Sequence, residues 1–245
     1  MENALYRKNV FKTLSIKPAK DGVKYAARNT ARINLLHAGT GFATEVMEFT
    51  VGLSSYILDG RLTKEAKDNA FEELGDIGYY LMVLAKTLKI KPPTSKRKLK
   101  LIGTPSRAIL DLLSKAEEVL SLQKKVYYGV KLKEVKAVDG KTLIRVDAEA
   151  QKAVDAKRAE DMKKPVAEAY ELYFKIVYSL FGVTPSAIYA GNIAKLAHRY
   201  PDGFFTTVSA NAVKDTPKEV AVAKEAAAKS TKKVAKPKTQ LKAVA

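Results

Sequence analysis

Two short runs, Glu45-Val46-Met47-Glu48 and Glu73-Leu74-Gly75-Asp76, decide how this chain folds. An α-helix turns about 100° per residue, so side chains three positions apart share a face, about one turn from each other. Each run therefore points two carboxylates the same way. The segment between them, Tyr56 to Lys64, has Asp59-Gly60 as a break and is short enough to return the chain antiparallel. Four carboxylates are expected to converge. Working outward, Phe42, Val46, Phe49 and Leu53 form a core stripe around the first pair, and Leu74, Ile77, Leu81, Leu84 and Leu88 form one around the second. Neither helix carries a charge from Phe49 to Leu58 or from Ile77 to Ala85. Paired acids on a charged helix are usually a solvated face. Acids set into helices this apolar are not there for solubility.

Convergence has an energetic consequence. Two unit charges about 5 Å apart repel by roughly 3 kcal/mol at an effective dielectric of about 20, and four carboxylates contain several such pairs. The cluster must take up protons, splay into water or hold a cation. Oxygen-only ligands, without Cys in the chain or His in either run, suit Mg²⁺, or Mn²⁺, rather than Zn²⁺. Magnesium held by protein carboxylates usually brings substrate phosphates with it. The acids point to a phosphate-handling metal site.

These residues carry a resemblance. Leu36-His37-Ala38, then Glu45-x-x-Glu48, then Glu72-Glu73-Leu74-Gly75-Asp76-Ile77 with Tyr79-Tyr80-Leu81, is similar to the MazG-like all-α nucleoside triphosphate pyrophosphohydrolases. A later segment, Asn192-x-x-Lys195-Leu196-x-x-Arg199-Tyr200-Pro201-x-Gly203-Phe204, resembles one found in many of those proteins, phage members included, and Gln123 to Gly129 does so less sharply. The resemblance implies an all-α helical bundle that converts a nucleoside or deoxynucleoside triphosphate to the monophosphate and pyrophosphate. It implies Mg²⁺ held by Glu45, Glu48, Glu73 and Asp76. Glu48 is the candidate proton acceptor, Lys195 and Arg199 the candidate phosphate cations, and Asn192 a hydrogen-bonding partner of phosphate or sugar. His37, Asn34 and Phe42 are candidates for a base pocket. Relatives of this kind associate, so a homodimer or homotetramer is expected.

A chain of 245 residues can bury one sizeable core or two small ones, and 47% hydrophobic residues is ordinary for a folded protein. No apolar run approaches the ~18–20 residues that span a bilayer, and Met1-Glu2-Asn3 lacks a signal-peptide pattern. The absence of Cys removes disulfide and thiol chemistry and fits a reducing cytoplasm. A net charge of +18 suits polyanionic ligands, either nucleotides or nucleic acid. A rival reading follows from that charge: a basic, nucleic-acid-associated structural protein. Against it, the basic residues are scattered rather than striped, and no helix-turn-helix, zinc finger, RRM or OB signature appears.

The remaining chain frames the two acidic helices. Residues 1–22 are weakly periodic and end at Pro18 and Asp21-Gly22. A helix begins near Val23 and runs toward His37, where Gly39 and Gly41 weaken or break it into a loop, unless close backbone packing or the approach of a ligand justifies them. Helices are expected over 42–58 and 63–90, the second capped by Thr63 and stopped by Pro92-Pro93, with a basic connector from Lys89 to Lys100. Thr104-Pro105 starts a helix to about Tyr128 that buries Ile109, Leu112, Leu113, Ala116, Val119, Leu120 and Val126. Val130 to Val146, β-branched around Asp139-Gly140, is a small β-hairpin. Residues 147–164 are highly charged, Pro165 restarts a helix to Phe181-Gly182, and Thr184-Pro185 starts the last one. Residues 1–212 thus form the pyrophosphohydrolase-like domain, with motifs at 35–90 and 185–205. From Lys214 onward nine Lys face three acids, aromatics vanish, and Pro217 and Pro237 interrupt any long helix. Residues 213–245 are therefore expected to be a disordered basic tail, at most transiently helical around Glu219–Lys229, that solubilises the chain or touches nucleic acid nonspecifically.

Overall fold

Thirty consecutive helical residues, Val23–Gly52, make the first element, α1, in a computed structural model that describes residues 23–93, 103–128, 132–136, 142–146, 148–200 and 217–231. Gly39 and Gly41 do not break this helix, contrary to the expectation from their propensity. They sit where neighbours press on its backbone. A Cβ at Gly41 would lie 2.2 Å from Cζ of Tyr80, and one at Gly39 would strike the Gln123 amide. Packing thus decides against local preference. Phe42, Val46, Phe49 and Leu53 are fully buried, as the stripe predicts.

After Leu53 the chain turns into a short helix, α2 (Ser54–Asp59), which Gly60 closes in the left-handed region at φ +72°. Thr63 then caps α3 (Lys64–Thr87), its hydroxyl accepting from the Ala66 amide at 3.1 Å. Leu74, Ile77, Leu81, Leu84 and Leu88 are buried, and α3 ends through Lys89 at φ +58° ahead of Pro92-Pro93. Gly52 of α1 lies beside Asn69, and Gly41 beside Tyr80, so α1 and α3 run antiparallel.

Helix α4 (Pro105–Tyr128) starts where Thr104 accepts from the Arg107 amide, and buries Ile109, Leu112, Ala116 and Val119, with Leu113 and Leu120 partly covered. The side chain of Val126 lies outside the described residues. A two-stranded antiparallel hairpin follows, β1 (Leu132–Lys136) paired with β2 (Thr142–Val146), Leu132 opposite Val146 and Lys136 opposite Thr142. This is the expected excursion from a helical body; Asp139-Gly140 lies outside the described residues.

Helix α5 (Ala148–Ile176) passes through Pro165 without restarting there. A proline inside a helix forgoes one backbone hydrogen bond and crowds the preceding turn, costing ~3 kcal/mol. Burial of Met162, Val166, Ala169, Tyr170 and Tyr173 on both sides of it offsets that cost. Helix α5 runs into one π-helical turn, Val177–Phe181, closed by Gly182 at φ +62°. Helix α6 (Pro185–Arg199) follows with Pro185 in its first turn.

The tail expectation fails over one stretch. Residues Pro217–Thr231 form a helix, α7, packed along α6. Ala223 and Ala227 are buried there together with Glu219. A helix can dock without large side chains when alanines let backbones approach, and a search for bulky apolar residues overlooks that. Residues 1–22, 94–102, 201–216 and 232–245 lie outside the described residues.

Helix α1 packs on α3 and α4, α4 on α5, and α5 back on α3, a closed four-helix circuit that carries most of the core. Helix α6 lies on α3, and α7 on α6. The fold is all-α apart from the hairpin. No helix among the described residues is long and apolar enough to cross a membrane.

Gly41→Ala is expected to lower the unfolding free energy by about 1–3 kcal/mol because the new methyl overpacks against Tyr80. At an unconstrained helix position the same change gains about 1 kcal/mol. Chemical denaturation reads the sign; a more stable variant would mean Tyr80 gives way freely.

Candidate metal centre

The antiparallel pairing of α1 and α3 sets Glu45 opposite the turn that carries Glu73 and Asp76. One carboxylate oxygen from each of the three lies within 4.8 Å of the others, and all three residues are half-buried. Each belongs to a helix whose neighbouring turns are core, so the two backbones that carry the acids are held side by side. Glu48 is exposed on α1. It is close enough to raise the carboxyls of Glu45 and Glu73 by repulsion, yet it lies outside the three-carboxylate set. Of the four acids singled out from the sequence, three converge and the fourth stands at the solvent edge.

The electrostatics follow from burial and crowding. Desolvation, then the charges of Asp76, Glu73 and Glu48, push the Glu45 carboxyl up to about 9. Glu73 rises to about 7 for the same reasons, burial first. The two carboxyl groups also share a hydrogen bond, so they take up protons as a pair. Without a cation the cluster relieves its repulsion by holding protons. The three groups offer only oxygen, which suits a hard divalent ion such as Mg²⁺ or Mn²⁺.

Helix α6 supplies the other side of the cluster. Two glycines of α3 let it approach: a Cβ at Gly75 would lie 3.1 Å from Asn192, and one at Gly78 would lie 2.9 Å from the Tyr189 ring. Asn192 donates from Nδ2 to Oδ1 of Asp76 at 2.7 Å. Lys195, 1% exposed, donates from Nζ to Oδ2 of Asp76 at 2.5 Å and to Oε1 of Glu72 at 3.1 Å. Both oxygens of Asp76 are thereby held, and a buried cation stands against the acids. Arg199, one turn on, makes a two-pronged pair with Glu219 of α7 at 2.8 and 3.0 Å.

The sequence placed Asn192, Lys195 and Arg199 toward phosphate. In the structure the first two grip Asp76 and the third grips α7. The pocket candidates also separate. Phe42 is a core residue with no exposed surface, Asn34 is half-buried on α1, and His37 is exposed with its ring edge-on to Tyr80 at 5.6 Å. Tyr80 lies close enough for the charge of Glu45 to raise its phenol, although burial is the larger cause. Three participants were missed as such. Glu72 is buried as the second anchor of Lys195, and Gln123 donates from its amide to the Leu35 and Leu36 carbonyls of α1. Glu219 sat in the presumed tail. A helix-face acid beside the main pair was the available signal for Glu72; for Glu219 there was none, because its partner is 20 residues away.

Comparison with known protein families, curated proteins and solved structures finds no match.

Two expectations follow from the raised carboxyls. At pH 7 cation binding must displace the Glu45 proton and part of that on Glu73. Calorimetric titration with Mn²⁺ in buffers of different ionisation enthalpy should therefore show release of about one to two protons. In the metal-free chain, a folded-state value above the unfolded one favours the protonated, folded form. The contribution of Glu45 is complete below pH about 4.5 and is lost as pH rises toward about 9. Melting in EDTA should show stability falling over that window, and Glu45→Gln should flatten the fall.

Proposed function

We propose that this chain is a Mg²⁺-dependent pyrophosphohydrolase that converts a nucleoside or deoxynucleoside triphosphate to its monophosphate and pyrophosphate. One observation carries the reading: Glu45, Glu73 and Asp76 present carboxylate oxygens within 4.8 Å of one another from two antiparallel helices, in a setting that pushes Glu45 up to about 9. Such a set is an oxygen-only cation site, and a hard cation on protein carboxylates suits phosphate substrates. Mg²⁺, or Mn²⁺ in its place, would be held by Glu45, Glu73 and Asp76 and would supply neutralisation of triphosphate charge and a water primed for attack.

The chain's own groups do the rest. Asn192 and Lys195 fix both oxygens of Asp76, so the carboxylate is oriented before substrate arrives. The Lys195 charge acts on the developing pyrophosphate from behind that carboxylate rather than by contact. Glu48, exposed beside the cluster, is free of the three-carboxylate set and serves as acceptor for the proton of the attacking water. His37 and Tyr80 lie along the same edge of α1 and α3 and form the start of a surface for base or sugar. Exposed Met47 and Val51, one turn apart beside Glu48, suit self-association as a dimer or tetramer next to the site.

The net charge of +18 favours a second reading, a structural protein bound to nucleic acid. One experiment separates the two. A panel of NTPs and dNTPs with Mg²⁺, read by chromatography, should show monophosphate and pyrophosphate from at least one member. Glu48→Gln should slow that turnover by about 10²–10⁴-fold, and Asp76→Asn should abolish it. Wild-type turnover in either variant, or an inert panel with a salt-sensitive gel shift, would overturn the enzyme reading.

A further inference from the structure

Helix α7 touches both helices that meet at Asp76. Toward α6, Glu219 takes the Arg199 guanidinium with both oxygens, at 2.8 and 3.0 Å, and neither side chain is more than 8% exposed. Toward α3, the Lys224 ammonium lies 2.7 Å from the Asp68 carboxylate. Between these two contacts the helices come into backbone contact: a Cβ on Gly191 would meet the Ala223 carbonyl oxygen at 2.7 Å. The attachment points are placed with respect to the cluster. Asp68 lies one turn before Glu72 and two before Asp76, while Arg199 lies one turn after Lys195.

A buried ion pair is a poor way to gain stability, because desolvation offsets most of the attraction. Its use is to specify one geometry, and the two-pronged form with fixed planes is the most specific available. Here the geometry specified is the position of α6 along α3. That position sets where Asn192 and Lys195 stand, and these two hold both oxygens of Asp76. Displacing α6 by a fraction of a turn would release one or both.

We propose that α7 is a strap that locks α6 onto α3, and that Glu219 is a positioning residue for the Asp76 carboxylate, acting through Arg199 and α6. The proposal rests on the metal-centre reading above. It makes the C-terminal helix part of the site's construction.

The test is Mn²⁺ affinity of the full chain, by electron paramagnetic resonance, beside thermal melting in EDTA. Glu219→Gln keeps the shape of the side chain and removes its charge; Gly191→Ala pushes α7 away from α6. Each should weaken Mn²⁺ binding about tenfold, the loss seen when a group orienting a metal ligand is removed. Lys224→Ala removes a half-exposed contact, leaves the chain folded, and should weaken binding about twofold. A fall in melting temperature with Mn²⁺ affinity unchanged, in whichever of the three fold, would show that α7 only stabilises and would overturn the strap. A wild-type chain that binds no divalent cation would instead remove the metal-centre reading, and the strap's purpose with it.

Discussion

Like charges brought together between two packed helices are the constraint around which this molecule is built. Glu45 on α1 and Glu73 and Asp76 on α3 stand together because the turns flanking them are the bundle's core and hold the two helices side by side. Repulsion that would relax at a surface is here held in place by Phe42, Val46, Phe49, Leu74 and Ile77, none of which retains exposed surface. The hydrophobic burial of the bundle, of order 25 cal/mol per Å² of apolar surface, opposes that repulsion. Crowding and burial together raise the carboxyls of Glu45 and Glu73, so the acids answer the repulsion by holding protons.

The close approach this demands explains the glycines. Gly41 admits the Tyr80 ring to the backbone of α1, while Gly75 and Gly78 admit α6 and the tyrosines of α5 and α6 to α3. Tyr173 and Tyr189 stack at 6.2 Å under that contact. Each glycine is a weak helix former kept at a point where a methyl group would force two elements apart. Local propensity and packing disagree at these points, and packing prevails.

Much of this was readable from local spacing. The acid pairs, both core stripes, the caps at Thr63 and Thr104, the break at Gly60 and the hairpin around residue 140 depend on neighbours three or four positions apart, or on one turn's dihedral angles. The misreadings were cases where burial or a distant segment overrode local preference. Gln123 and Tyr80 keep α1 continuous through Gly39 and Gly41, and the tyrosines and methionine of α5 carry it through Pro165. Glu219 turns an alanine- and lysine-rich stretch into a docked helix. Composition alone made that stretch look like a tail, because its buried face is made of alanines and one paired acid.

The sequence by itself determined an all-α bundle with two acidic helices returning on each other, because helical periodicity is written into every few residues. Only the tertiary structure decided what the cations do. Lys195 and Arg199, stacked one turn apart, look in the sequence like hands held out to a phosphate. Their charges are taken by Glu72 and Asp76 from α3 and by Glu219 from α7. An ion pair depends on which carboxylate arrives within about 3 Å, and chain positions 20 to 123 residues apart meet only after the helices have packed.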